Sequence, residues 1–563
     1  VNPVQLPMQY LLPGVLNNNH MHRKLSGLIA IGLLSILTGC IRQQPNIIII
    51  TATFPSNPVT VVEASPQIIV STPTDNPTPI PVQTIVLSPV PQQPLSNPTA
   101  NATPPPVDIP SIHTVQSGDT LSGIAASYGV TVDAILSVNE LLDPNILSVG
   151  QQILLPDVPE VYTPNFKIIP DSRLIRAPGS RNFDVAAFIA AQPGYIRTAT
   201  GDVTIRLDNG AGFPMTETSA QIVERVAIEY SVDPRILLAI LEYRSGWLSN
   251  PQPLDTLLER PIVSEATAPN ADDLYNQLSW TANELNRGYY AWKYRGLTTI
   301  TFADGSGYQI NPELNPGTIA VQHMLAQDAT PRSIWENEVS FTGLYSIYVQ
   351  YFGDPFANAV EPLIPSNLQQ PQFLLPFESG IEWRYTGGPH GGWGSGSAWA
   401  SLDFAPSEED RADGVFCYIS DWWLTAVAPG VIARAGEGVI VLDLDADGDE
   451  STGWSVMYLH MSDDGMVEEG IRVNAGDRVG RPSCAGGFSN ATHVHISRRF
   501  NGEWLPADCQ SCLPEYQVSP FVIGDWTTIG LDGQYYQGFM TNGSTQIQAE
   551  QSRETTINNR ISG

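Results

Sequence analysis

Positive charge is scarce in this chain. Its 563 residues carry 27 Lys and Arg against 57 Asp and Glu, a formal net charge of −30. That balance excludes nucleic acid as a partner, because phosphates demand a basic face. It equally excludes attachment to anionic lipid by charge. Cysteine is also rare, with five in all. Setting Cys40 aside leaves Cys417, Cys484, Cys509 and Cys512. An even set in an exported chain reads as disulfides, with the connectivity open. The Cys509-x-x-Cys512 spacing also suits redox or metal chemistry, but no second C-x-x-C accompanies it. The apolar run LSGLIAIGLLSIL is too short to span a bilayer comfortably, which takes about 20 residues.

That run has the layout of an export signal. Met21-His22-Arg23-Lys24 is a basic opening, the apolar run follows, and Leu37-Thr38-Gly39-Cys40 closes it. The last four residues resemble a lipobox. The resemblance implies a lipoprotein signal peptide over 21–40 and an acylated Cys40 that holds an exported chain on a membrane. Residues 1–20 lack signal character and read as an extension created by start-site choice. Residues 41–112 are rich in Pro, Thr, Ser and Asn with almost no charge. Their Thr-Pro and Pro-x-Pro steps favour an extended stalk.

Residues 113–156, HTVQSGDTLSGIAASYGVTVDAILSVNELLDPNILSVGQQILLP, change character. A short strand turns at Ser117-Gly118-Asp119, Asp119 or Thr120 caps a helix, a second helix follows Thr131, and QQILLP closes as a strand. The V-x-x-GDTL, IA-x-x-YGV, N-x-L and L-x-VGQ-x-L-x-P segments resemble a LysM domain. That resemblance implies a βααβ unit binding N-acetylglucosamine-containing glycan such as peptidoglycan. Its groove would lie between Gly118, Asp119, Thr120 and Leu121 on one side and Asn145, Ile146 and Leu147 on the other.

A linker over 157–180 leads to a unit at 181–365 with apolar residues at helical spacing, including SAQIVERVAIEYSVDPRILLAILEYRSGW. The segment VDPRILLAILEYRSGW resembles the catalytic helix of lytic transglycosylases, in which a Glu stands directly before Ser-Gly-aromatic. Arg244 occupies that place, and a guanidinium cannot protonate a glycosidic oxygen. Glu242 stands two residues away, about 200° around the helix. The expectation is an all-α, transglycosylase-like and inactive domain.

Histidine is then concentrated. Four of the chain's eight fall in one C-terminal region: His390 in GGPHGGWGSGSAWASLDFAP, His460 in MYLHM, and His493 with His495 in THVHIS. THVHIS reads as a strand, which puts His493 and His495 on one face. Asp403 alternates with Leu402 and Phe404 in the same manner. Imidazoles and a carboxylate on separate strands suit a catalytic zinc, with an open position for water. Order and spacing resemble the zinc endopeptidases of the lysostaphin and beta-lytic protease family, which cut peptide bonds in peptidoglycan. The lysostaphin-like branch has a His four residues before the Asp, where this chain has Trp399. The GG-x-H segment, Gly/Ser-rich loop and S-x-LDF-like residues resemble the beta-lytic branch. The resemblance covers roughly 372–540 and implies a β-rich, antiparallel domain holding one zinc. His390, Asp403 and His495 would be its ligands, His493 a general base or acid, and His460 a partner of the oxyanion. Trp393 and Trp399 are candidate walls of the groove.

Between these motifs, Asp443, Asp445, Asp447 and Asp449 alternate as in a calcium loop, but the twelfth position is Trp454 in place of Glu. A solvated hairpin turn is the preferred reading and Ca2+ the alternative. Residues 541–563 read as a polar, disordered tail. The chain is thus read as a multidomain α+β protein exported to the cell wall, binding peptidoglycan glycan and hydrolysing its peptides. The competing reading is a non-catalytic scaffold or activator of other hydrolases.

Overall fold

The computed structural model describes residues 112–563 apart from 117–118, 129–131, 140–146, 156–161, 303–304, 329–330, 408–414, 532 and 552–556. Cys40, the expected signal segment and all but the last residue of the expected stalk lie outside the described residues. So do Gly118, Asn145 and Ile146.

In the first unit β1 (Ile112–Thr114) pairs antiparallel with β2 (Gln152–Leu154), and α1 (Leu121–Ser127) and α2 (Val132–Val138) come between them in the chain. Thr120 caps α1, its Oγ1 accepting the Gly123 N–H at 3.0 Å. Asn139 ties α2 to β2: its amide donates to Leu154 O at 2.6 Å and its oxygen accepts the Leu154 N–H at 2.8 Å. Leu121, Ile124, Ile135 and Ile153 form the core. The Leu121 side chain is part of that core.

The middle unit carries α3 (Asp171–Leu174), α4 (Val185–Ala190), α5 (Ser219–Tyr230), α6 (Pro234–Ser245) and α7 (Thr256–Glu259). The helices α8 (Asp273–Arg295), α9 (Pro316–Ala326), α10 (Arg332–Glu338) and α11 (Leu344–Phe352) follow. Local chemistry sets these boundaries. Thr218 and Gln221 form a capping box on α5. Asp233 caps α6, Pro234 opens it, and Gly246 closes it at φ 67°. The expectation of an all-α unit is corrected by two hairpins, β3 (Thr200–Arg206) with β4 (Gly212–Thr218), and β5 (Thr299–Thr301) with β6 (Gly307–Gln309). The reason was present in TGDVTIRLDNGAGF, where Val203 and Ile205 alternate with polar residues before an Asp-Asn-Gly turn. The linker is corrected as well: Ile168, Ile169, Leu174, Ile175 and Ala177 are buried in the core of this unit.

The C-terminal unit is built of antiparallel strands. They are β7 (Trp383–His390), β8 (Ser401–Pro406), β9 (Leu424–Thr425), β10 (Gly430–Gly436), β11 (Val439–Asp443), β12 (Trp454–Leu459), β13 (Arg472–Val473) and β14 (Arg478–Gly480). After them come β15 (Val494–Phe500), β16 (Glu503–Trp504), β17 (Val522–Ile523), β18 (Trp526–Gly530), β19 (Gly538–Thr541), β20 (Gln546–Gln548) and β21 (Arg560–Ile561). The main sheet runs β13-β10-β11-β12-β15-β8-β7-β21, with β16 on β15. A four-stranded sheet, β17-β18-β19-β20, stands apart from it. The tail expected to be disordered supplies β20 and β21. Ile561 is buried and pairs with Trp383, because its apolar side chain completes the edge of the main sheet.

The main sheet is buried on both faces. Ile440, Leu442, Val456, Tyr458, Val494 and Ile496 point into one core, while Val439, Val441, Met457 and Leu459 point into the core of the middle unit. This is why VIVLD and SVMYL are unbroken apolar runs and do not alternate with polar residues. Polar contacts reinforce the shared core. Lys293 of α8 meets Glu503 of β16 at 2.5 Å with both side chains almost fully buried. The hydroxyls of Tyr294 and Tyr289 donate to the same carboxylate at 2.6 and 3.0 Å.

Candidate metal centre

Three neighbouring strands place the candidate ligands. Strand register sets Asp403 on β8 directly opposite His495 on β15. Leu402, Phe404, Val494 and Ile496 face the core beneath, so pleating sends Asp403 and His495 to the other face together. His390 ends β7, which slips register twice, between Tyr385 and Gly387 and again before His390. Such bulges re-aim a side chain. A Cβ on Gly388, at φ 131°, would lie 2.8 Å from Ser401 O, so only glycine allows this approach of β7 to β8.

The resulting triangle is close. His390 Nε2 lies 2.9 Å from His495 Nδ1 and 3.2 Å from Asp403 Oδ1, and His495 Nδ1 lies 3.3 Å from the same oxygen. Tetrahedral bonds of about 2.0–2.1 Å separate ligand atoms by about 3.3 Å, so the triangle fits zinc with a small expansion at one edge. Asp403 Oδ1 is buried with no hydrogen-bond partner. An anionic oxygen so placed is costly without a cation. Burial alone would raise the Asp403 carboxyl, yet His390 and His493 beside it hold it well below the usual carboxylate range. His495 is turned by its second nitrogen, Nε2–H donating to Gly392 O at 3.0 Å, which leaves the Nδ1 lone pair toward the triangle. The His390 ring is stacked on Tyr536, centroids 4.2 Å apart.

His493 and His460 stand beside this group. His493 Nδ1–H donates to Ala491 O at 2.8 Å, and its Nε2 lies 3.7 Å from Asp403 Oδ1. His460 Nδ1–H donates to Ala485 O at 2.9 Å. The two rings are 4.5 Å apart. His460 comes directly after β12 at φ 68°, a strained conformation for a non-glycine residue, and this turns its ring toward the cluster. Burial and the two neighbouring imidazoles hold His460 well below the ordinary histidine range. The Cys417–Cys484 disulfide fastens the loop that carries Ala485 and leads to His493, and Cys509 pairs with Cys512.

All five residues singled out by sequence thus come together. Of the two tryptophans, Trp393 lines the cavity in front of the cluster. Trp399 packs instead against Tyr535 and Arg295. Tyr535 and Tyr536 were missed: they lie in GLDGQYYQGF, which has no spacing relation to the histidine motifs. Tyr535 OH accepts the Gly391 N–H at 3.1 Å.

The remaining candidates fare differently. Arg244 is paired with Glu338 at 2.6 Å. Glu242 accepts the N–H groups of Leu248 and Ser249 and the hydroxyls of Ser249 and Tyr351, so it serves as a structural acceptor. Asp443, Asp445 and Asp447 do converge. Asp443 accepts the Gly448 N–H at 2.8 Å, as in an ordinary acidic turn, and Asp449 turns away to Ser451. In the first unit, Asp119 accepts from Gln116 N at 2.7 Å and lies 2.8 Å from His113 Nε2.

Comparison with known proteins adds kinship. Residues 113–156 match the family described as LysM domain, and residues 167–366 match the family described as LasA, N-terminal domain. The latter is a different relationship from the transglycosylase resemblance. Over 330 residues the chain is 25% identical to Protease LasA of Pseudomonas aeruginosa (strain UCBPP-PA14), spanning 54% of this chain and 72% of that protein. Over 46 residues it is 52% identical to N-acetylmuramoyl-L-alanine amidase XlyB of Bacillus subtilis (strain 168), spanning 8% of this chain and 14% of that protein. A solved structure of the M23 metalloprotease pseudoalterin is 24% identical, covering 32% of this chain and 96% of that one with a TM-score of 0.25. This chain is thus similar to protease LasA over 330 residues, with a segment matching the LasA N-terminal domain family between its LysM-matching segment and the strands that hold the histidine cluster.

Proposed function

We propose that the chain binds peptidoglycan glycan through its LysM domain and hydrolyses the neighbouring peptide cross-links as a zinc endopeptidase. The triangle of His390, Asp403 and His495, with two further imidazoles beside it, is the observation that carries this reading. The LysM match and the N-acetylmuramoyl-L-alanine amidase relative support a cell-wall substrate. The complete ligand set supports an enzyme over a scaffold.

A zinc ion held by the three ligands supplies Lewis acidity toward a water and a scissile carbonyl. His493, its Nδ1 proton engaged by Ala491, presents a bare Nε2 that takes a proton from the attacking water and returns it to the leaving amine. His460, its Nδ1–H held by Ala485 O and its ring 4.5 Å from that of His493, is read as the residue beside the oxyanion. Acylation of Cys40 would hold the enzyme at a membrane facing the wall.

The test is digestion of purified peptidoglycan by the zinc-loaded chain, with fragments identified by mass. New peptide amino termini are expected. Intact peptides combined with normal glycan binding would favour the scaffold.

A further inference from the structure

Of the four imidazoles in the cluster, three are oriented by a hydrogen bond from the second ring nitrogen. His495 donates to Gly392 O at 3.0 Å, His493 to Ala491 O at 2.8 Å and His460 to Ala485 O at 2.9 Å. His390 is the exception. Its Nδ1 is buried and, among the described residues, has no hydrogen-bond partner. A metal-binding imidazole without that bond keeps its aim only if packing holds the ring. Here the ring lies on Tyr536, with centroids 4.2 Å apart and planes 21° from parallel.

Tyr536 comes from the tip of the β18–β19 hairpin. Its backbone grips β7 at the two residues before His390. Tyr536 N–H donates to Pro389 O at 3.1 Å, and Gly388 N–H donates to Tyr536 O at 3.4 Å. A Cβ on Gly538 would lie 2.7 Å from Gly388 O, so glycine lets the hairpin approach β7 this closely. The place of the hairpin therefore sets the aim of His390.

An edge bond fixes that place. The N–H groups of Thr528 and Gly530, two residues apart, leave β18 on the same side. Strand β17 pairs only with Trp526 and Thr527, so it reaches neither. Thr528 N–H is taken by Phe521 O at 3.0 Å. Gly530 N–H, the last of the strand before the tip, is taken by Asp508 Oδ2 at 2.6 Å. Gln510 closes the corner, its Nε2 donating to the same Oδ2 at 2.6 Å and to Gly530 O at 3.1 Å. Asp508 is itself held on both sides. Ala507 donates to Trp399 O and accepts the Phe521 N–H, each at 2.8 Å. Cys509 is joined to Cys512, and its Sγ accepts the Val518 N–H at 3.4 Å.

We propose that Asp508 is a positioning residue for the metal centre. Through Gly530 it sets the hairpin whose Tyr536 ring holds His390 in the ligand triangle. The inference rests on the zinc reading of that triangle and adds a residue from outside every histidine motif. A carboxylate suits the place, because an ionised acceptor binds N–H groups more strongly than a neutral one.

Metal binding by the full chain tests this without turnover. Competition with a chromophoric chelator gives the zinc Kd, and visible absorption of the cobalt-loaded chain reports ligand geometry. Asp508→Ala should raise the zinc Kd about 10-fold or more, as for other groups that orient a ligand, and shift the cobalt bands. Asp508→Asn keeps a weaker oxygen acceptor and should fall between Asp508→Ala and the unaltered chain. Tyr536→Ala should match Asp508→Ala, whereas Tyr536→Phe should bind zinc as the unaltered chain does. Combining Asp508→Ala with Tyr536→Ala should add nothing further. Asp477→Ala removes an acceptor of the same kind, which takes the Asn474 N–H at 2.7 Å, and should leave the zinc Kd unchanged.

An unchanged zinc Kd and cobalt spectrum in Asp508→Ala overturn the inference. If that variant fails to fold, Asp508→Asn decides by the same criterion. An effect reproduced by Asp477→Ala, or one that adds to that of Tyr536→Ala, also overturns it, because either marks a general loss of stability. An unaltered chain that binds neither metal sinks the zinc reading itself, and the inference with it.

Discussion

At the scale of single residues, ligand and proton carrier should separate experimentally. His390→Ala, Asp403→Ala and His495→Ala should each lose stoichiometric zinc, measured by mass spectrometry of the dialysed protein. His493→Ala should retain zinc while kcat/KM falls by at least about 100-fold. Equal loss of zinc in His493→Ala would make it a ligand. These residues were legible in the sequence because their chemistry is rare and strand spacing assigned their faces. Tyr536 was not, since an aromatic residue packs well almost anywhere and only the fold brings its ring onto His390.

Glu229 gives a second prediction at this scale. Burial, opposed by the Tyr275 hydroxyl and Arg225, pushes its carboxyl up to about 7 from 4.5. A folded value above the unfolded one stabilises fully below pH 4.5, and that contribution is lost as pH rises through about 7. The loss is on the order of 3 kcal/mol for this nearly buried side chain. Glu229→Gln should therefore flatten the stability profile between pH 4.5 and 7 in urea titrations. An unchanged profile would place the titration on another group.

Among the elements, α8 and β16 carry the strongest test of docking. Lys293→Met leaves the Glu503 carboxylate buried without its cation, which should destabilise the fold by about 3–5 kcal/mol. Adding Glu503→Leu should recover much of that loss, and urea unfolding of the two variants would measure it. Equal stability of both variants would mean that the pair does not hold the domains. Helix boundaries were readable from caps such as Thr218 and Asp233, because capping depends on neighbours in sequence. The β3–β4 hairpin was overlooked because strong helical periodicity on both sides of it outweighed one short alternating segment.

For the whole molecule, deletion of 113–156 should lower the rate on intact cell wall while leaving soluble peptidoglycan fragments unaffected, because tethering raises only the local concentration of an insoluble substrate. Turbidity clearing and fragment release, measured in parallel, separate the two. Equal slowing on both substrates would argue against a targeting role.

The sequence by itself determined the LysM unit, the helical caps, the five residues of the candidate metal centre and the strand alternation that aims them. Each of these is local: a motif, a period of two, or a cap within one turn. Tertiary structure decided what depends on distant neighbours. It paired the cysteines, moved Ile168, Ile169, Leu174, Ile175 and Ala177 and the last strand into cores, and brought the β3–β4 hairpin to face the candidate metal cluster. The physical reason is burial. The apolar runs of β11 and β12 announce that both sheet faces are covered, but only packing chooses the partner, and that partner proved to be the middle domain.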